Sequence, residues 1–299
     1  MILLFVLYFL LMYSVFLKSP LIIAYPHPFF FTALQCSSAG FFLLALYVLY
    51  RREWTFYKLS FKQYVHSAIV GMLLYGIPLS AFAFSMQYID KVAVCFMLAA
   101  KPFLNIILVF FKERKLITLQ QFVGLCIGLA GLIPIILHMK PASHDVPQYL
   151  VYVGLGVFFI ATIVYSYAWI LFKDLIKEMH DFSVKKITGL NLLFGGAFAY
   201  TLHLLVEQNV YPPTITPDFM WGVINVGFWS ALTYWLYSYL LHWYSTTLLS
   251  FATFLQPGFG LLFAYFVYGE QFDALLYICL GLLVVGLYIF YRDELQVLK

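Results

Sequence analysis

Between Gln148 and Phe172 the chain runs for 25 residues without an Asp, Glu, Lys or Arg. A helix of that length, rising about 1.5 Å per residue, outreaches the roughly 30 Å hydrocarbon core of a bilayer. Stretches of the same character recur along all 299 residues, of which 64% are hydrophobic and only 10% charged. A soluble domain carries about a quarter charged residues. The chain is therefore an all-α integral membrane protein, with almost nothing left over for a soluble domain. Its net charge of +4 is read loop by loop and is no nucleic-acid signal.

Polar breaks separate ten apolar stretches: 2–23, 28–50, 64–88, 91–112, 116–138, 148–172, 183–206, 219–241, 245–269 and 272–291. The first lacks the basic start and cleavage site of a secretory signal, so it is read as a retained span, although Lys18, Ser19 and Pro20 interrupt it. With the N-terminus inside, 13 of the 17 Lys and Arg lie at or beside segments on the inner side. Lys91 and Lys140 lie outside, and Lys18 and Lys101 fall within or near spans. That bias predicts ten transmembrane helices with both termini cytoplasmic. No N-x-S/T acceptor occurs, which suits a bacterial inner membrane. The long outer break "HMKPASHDVPQ" leaves five spans on each side. The expected units are 1–138, a connecting loop 139–147, and 148–299. An odd number of spans per half makes the second half enter from the opposite side, the condition for two inverted five-helix repeats.

Two stretches look alike across that division. "LAAKPFLNIILVFFKERKLITLQQFVGLCIGLAGL" and "TFLQPGFGLLFAYFVYGEQFDALLYICLGLLVVGL" each carry a polar residue and proline in mid-span. In each, an aromatic-aliphatic run, a glutamate, a short turn and a glycine-bearing helix follow. Here the chain resembles the drug/metabolite transporter superfamily, EamA-type branch. The proline, apolar run and Gly-Glu pair of "FATFLQPGFGLLFAYFVYGEQF" and the glycines of "CLGLLVVGL" carry the resemblance. The first copy departs from it, with Phe111-Lys112-Glu113 in place of Gly-Glu, and "FFFTALQC" stands where an arginine is often found. The resemblance implies alternating access around a central cavity, with cargo such as amino acids, S-adenosylmethionine or nucleotide-like metabolites.

"MLAAKPFLNI" places Lys101 about 15 Å from either end of its span, near the bilayer midplane. A charge there costs several kcal/mol unless it faces protein or water. All 13 acids fall at span ends or in loops, so no ion pair at that depth is expected. Water, backbone carbonyls, aromatic faces, a neutral amine or an anionic group of a substrate remain as partners. Asn105 shares its helix face. Gln256 occupies the corresponding place in the second copy, with Thr246, Ser250 and Thr253 leading up to it. Stripes of Thr162, Tyr165, Ser166 and Trp169, and of Ser230, Thr233, Tyr234 and Tyr237, fit either interhelical hydrogen bonding or a cavity wall. The candidate substrate-binding set is Lys101, Asn105, Gln256, Thr253, Tyr165, Trp169, Tyr234 and Tyr237. Pro78, Pro102 and Pro257 are candidate hinges or static kinks, each expected to remove a backbone hydrogen bond. Gly124, Gly128 and Gly131 suit close helix packing, within the chain or at a homodimer interface.

The four cysteines lie in apolar runs without metal spacing and are read as small packing residues. No metal, cofactor or catalytic residue is expected. Missing midplane carboxylates argue against an Asp/Glu proton relay, while His66, His203 and His242 near span ends are the alternative relay groups. The reading is a secondary transporter, monomer or homodimer in a lipid bilayer. It exchanges, or passes by facilitated transport, a small metabolite with an anionic or zwitterionic group, amino-acid-like or S-adenosylmethionine-like. A multidrug efflux carrier is the alternative, although a central lysine repels cationic drugs. A polytopic membrane enzyme is another, although no cluster of catalytic residues supports it.

Overall fold

The computed structural model describes residues 2–25, 27–51, 59–113, 118–137, 146–179, 182–207, 216–244, 246, 249–250, 253 and 255–297. Most of the expected loop 139–147 lies outside them, as do Arg114, Lys115 and Lys140.

The described chain is helical throughout. Eleven helices are used below: α1 Ile2–Ala24, α2 Pro28–Arg51, α3 Phe61–Ser85, α4 Lys91–Leu98, α5 Lys101–Glu113, α6 Leu119–Leu137, α7 Gln148–Glu178, α8 Val184–Val206, α9 Pro217–Trp243, α10 Leu255–Tyr268 and α11 Ala274–Val297. Five of them (α1, α2, α3, α7 and α8) are long and apolar enough to cross a membrane, and α6, α10 and part of α11 are shorter apolar helices. The chain is a multi-pass membrane protein. Lys18 and Ser19 do not end α1, which runs through them with Pro20 inside.

The prolines show how the backbone meets the sequence. In α3 the five residues Met72–Gly76 form a π turn, in which Ile77 N–H reaches back to Met72. Pro78 follows at once, at the start of the next α-helical stretch. The wider turn sits where proline would otherwise collide with the preceding helix. Near Pro102 the expected single span is two helices. Ala99 and Ala100 close i→i−3 bonds to Phe96 and Met97, both 3.0 Å, and α5 begins at Lys101. Pro102 therefore occupies a first turn, where its missing N–H removes no helical bond. Pro257 is likewise the third residue of α10, after Thr253 and Gln256 donate to Ser250 and Thr253 carbonyls in turns of the same i→i−3 kind. The expected loss of a backbone bond at Pro102 and Pro257 does not occur, because each follows a turn that has already ended the preceding helix.

Glycine governs the close contact between α6 and α11. A Cβ on Gly124 would stand 2.5 Å from the Gly286 carbonyl oxygen, and one on Gly286 would stand 2.5 Å from Gly128 N. Gly131 faces the Cys279 carbonyl. Gln120 seals the pair by donating to Ile289 O at 2.8 Å. The glycines of "GLCIGLAG" thus pack α6 against α11 within the chain. Cys36, Cys95 and Cys279 are buried as expected, whereas Cys126 is exposed, on a face of α6 turned away from the packed helices.

Ion pairs tie distant parts of the chain together. Lys91, opening α4, meets Glu270 at 2.8 Å beyond α10. Glu178, the last residue of α7, meets His66 at 2.8 Å and Lys62 at 3.7 Å near the start of α3. Helix α7 is 31 residues long and runs past the expected end at 172 to make that contact.

Candidate functional site

Lys101 opens α5 after the Ala99–Ala100 turn, and its ammonium lies among aromatic faces from two other helices. Tyr165 and Trp169 are four residues apart on α7 and so share a face; Tyr237 comes from α9. Lys101 Nζ is 4.5 Å from the Tyr165 ring centroid, 4.9 Å from that of Tyr237 and 5.7 Å from that of Trp169. It also donates to Tyr237 Oη at 3.4 Å, a long bond. The rings brace one another: Trp169 and Tyr237 have centroids 3.9 Å apart, and Tyr165 meets Trp169 edge-on at 5.9 Å. Tyr234 belongs to the same wall through Tyr75, which touches both Tyr234 and Trp169.

These contacts show how a lysine buried in an apolar bundle is held. Insertion scales put a lysine at a bilayer centre at a cost of about 3 kcal/mol. A desolvated ring contact contributes up to about 2 kcal/mol, so three rings offset that cost without a carboxylate. Among the described residues no carboxylate pairs with Lys101. Glu178, Glu207 and Glu270, three carboxylates that pair, sit at helix ends. Lys101 is 4% exposed, so the cage is closed and the lysine is occluded rather than lining an open central cavity.

Asn105 lies one turn further along α5 and is buried, with Nδ2 unpartnered among the described residues. Gln256 and Thr253 are buried at the opening of α10, a helix that packs on α1 and α4. No hydrogen bond or ion pair among the described residues joins either to Lys101. Gln256 Oε1 has no partner among the described residues, whereas the Thr253 hydroxyl donates to Ser250 O at 2.5 Å. The two amides keep spare hydrogen-bonding capacity. The hydroxyl stripes mostly do not, because Thr162, Ser166, Thr233 and Ser250 each donate to the carbonyl four residues back in their own helix. Ser230 does bond between helices, accepting from Gln35 Nε2 at 2.8 Å and lying 3.4 Å from Ser14 Oγ.

Tyr75, Gln35 and Lys18 are buried polar residues that the sequence reading did not place at a site. Tyr75 stands in "YGIPLS", read only as a kink, and Gln35 in "FFFTALQC", read for an arginine it lacks. A lone polar side chain within an otherwise apolar run is the signal that marks all three. His66 and His203 hold carboxylates at helix ends, His203 meeting Glu207 at 2.5 Å, and His242 lies against Trp243.

Comparison with known proteins gives these features a setting. Residues 152–292 match the EamA-like transporter family. Over 273 residues the chain is 23% identical to an S-adenosylmethionine/S-adenosylhomocysteine transporter of Chlamydia muridarum, covering 90% of this chain and 84% of that protein. Transporters of the same description from Chlamydia trachomatis serovars L2 and D are 24% identical over 274 residues, covering 90% of this chain and 82% of theirs. A chain of known crystal structure superimposes with a TM-score of 0.71 at 16% identity, over 98% of this chain and 97% of its own length. That likeness is one of fold.

Proposed function

We propose that this chain, an EamA-type transporter of the drug/metabolite transporter superfamily and not an enzyme, carries a small zwitterionic metabolite of the S-adenosylmethionine and S-adenosylhomocysteine type by alternating access. The observation that carries this reading is a buried lysine held by aromatic rings and by no carboxylate. A permanent carboxylate would neutralise Lys101 and hold it. Rings hold it more weakly, so a substrate carboxylate can draw the ammonium away. The vacated faces of Tyr165, Trp169 and Tyr237 then suit an adenine ring by stacking or a sulfonium by cation–π attraction. Asn105 and Gln256 are the amides whose unmet hydrogen bonds fit a purine edge. The relatives of matching length add weight to that cargo.

In this reading ten spans form two inverted halves, 1–138 and 148–299, which rock about the turns before Pro102 and Pro257, with both termini in the cytoplasm of a bacterial cell. The matching i→i−3 turns support it. So do the ion pairs joining 61–113 to 148–297 at separate helix ends, contacts of the kind that must open in turn.

Uptake of labelled S-adenosylmethionine into proteoliposomes tests the proposal. Lys101→Ala should abolish uptake while melting as a folded protein, and Lys101→Arg should retain part of it. Full uptake by a folded Lys101→Ala protein would remove the lysine from the site. Transport of cationic drugs in preference to S-adenosylmethionine would favour the multidrug alternative.

A further inference from the structure

A cavity of about 410 Å³ lies beside the lysine cage. Its inner wall is made by Phe96, Met97 and Ala100 around the α4–α5 turn, by Leu132 of α6, and by Phe158 and Thr162 of α7. Ala100 adjoins Lys101, and Phe158 and Thr162 precede Tyr165 and Trp169 on the same face of α7. Ile133 and Phe159, 53% and 47% exposed, form part of the rim, so the cavity opens sideways from the bundle. Phe158 is ten residues into α7, about 15 Å from its start, which puts the opening at hydrocarbon depth.

The lining excludes polar occupants. Apart from Tyr152 at the rim, 62% exposed, Thr162 is the only polar side chain on the wall among the described residues, and its hydroxyl already donates to Phe158 O at 2.8 Å. A purine or an amino-acid group would leave its hydrogen bonds unmet here, so the cargo proposed above does not fit. Water needs two to four polar partners and does not find them. An apolar space of this size left empty forfeits dispersion contacts along its whole wall. Apolar chains reach the mouth from one source, the surrounding bilayer.

From this lining and position we infer that the cavity is a binding site for a phospholipid acyl chain, which enters between α6 and α7 and packs against the Ala99–Ala100 turn. The bound chain supports the break that sets Lys101 among its rings. The inference holds whatever metabolite is carried.

A phospholipid with a diazirine midway along one acyl chain tests it. The full chain is reconstituted with this lipid, irradiated and mapped by mass spectrometry. Label is expected on Met97 and Leu132, which at 6% and 3% exposure are out of reach of lipid lying along the outer surface. Label confined to rim residues such as Ile133 and Phe159 overturns the proposal. Gly156 lines the mouth, and a Cβ there meets nothing within 4 Å, so Gly156→Phe adds bulk at the opening with room at its Cβ. That variant should lose label at Met97 and Leu132 and keep it at Phe159; unchanged inner label overturns the lateral route. Should Gly156→Phe fail to fold, the inner or outer position of the wild-type label decides alone.

Discussion

Glu207 receives three donors where α8 ends. Its carboxylate accepts from Phe29 N at 3.0 Å and Phe30 N at 3.2 Å, and it meets His203 Nδ1 at 2.5 Å. The first turn of a helix leaves N–H groups unpaired and carries partial positive charge, so a buried carboxylate there is well compensated. Removing it leaves the part-buried Phe29 and Phe30 amides without this acceptor. Glu207→Ala should therefore cost about 3 kcal/mol of stability, read as a lower melting temperature of the solubilised protein, with Glu207→Gln between it and wild type. Equal melting of Glu207→Ala and wild type would contradict this account. The sequence placed Glu207 at a span end but could not show that Pro28 opens a helix aimed at it. Lys101 is the opposite case. Its distance along the chain from any acid is readable from spacing alone, and Tyr165, Trp169 and Tyr237 stand in the polar stripes of the sequence. Which rings face it depends on how α7 and α9 are rotated about their axes, and periodicity in helices this uniformly apolar does not encode that.

At the scale of elements, the α6–α11 pair is set by backbone approach, and its glycines are not equivalent. A methyl on Gly124 meets the Gly286 carbonyl at 2.5 Å, an atom that moves only if a helix moves. One on Gly128 meets the Phe103 ring edge at 2.4 Å, a side-chain atom rather than another helix's backbone. One on Gly281 meets nothing within 4 Å. Gly124→Ala should thus destabilise by about 1–3 kcal/mol through overpacking, and Gly128→Ala by less. Gly281→Ala should stabilise by up to about 1 kcal/mol through helix propensity. Thermal unfolding of the three variants checks the order, and a Gly281→Ala variant that melts below Gly124→Ala reverses it. The Gly-Glu pair noted in the sequence also gains a reason at this scale. Gly269 has φ +66°, donates to Tyr265 O, and lets Glu270 N reach Ala264 O. This is the left-handed turn that ends α10, costly for any residue with a Cβ, and Glu270 then meets Lys91. Helix existence was legible from apolar length. The π turn before Pro78 and the split between α4 and α5 were not, because hydropathy is the same on both sides of each break.

For the whole molecule, the placement of charge decides which gradient can drive transport. A buried Asp or Glu alternately open to each side is the usual proton relay, and four carboxylates of the 61–297 region instead cap helices or form ion pairs. Asp90 caps α4 by accepting from Val92 N at 2.8 Å, Glu178 and Glu270 are paired across the bundle, and Glu207 holds α2. Such groups stay at helix ends while the cage around Lys101 is occluded. Without a carboxylate to balance it, an empty site that reorients must carry Lys101 with only its rings. Under the proposed function, a loaded site carries it paired with the substrate carboxylate. Desolvation favours the paired form, so return of the loaded carrier should be faster than return of the empty one, which is the kinetic condition for exchange. Proteoliposomes preloaded with S-adenosylhomocysteine should accordingly take up external S-adenosylmethionine several-fold faster than empty ones, with little response to an imposed pH gradient. Strong accumulation driven by that gradient into unloaded vesicles would instead require a proton-carrying group, and His66 and His203, both paired with carboxylates, would be the first positions to substitute.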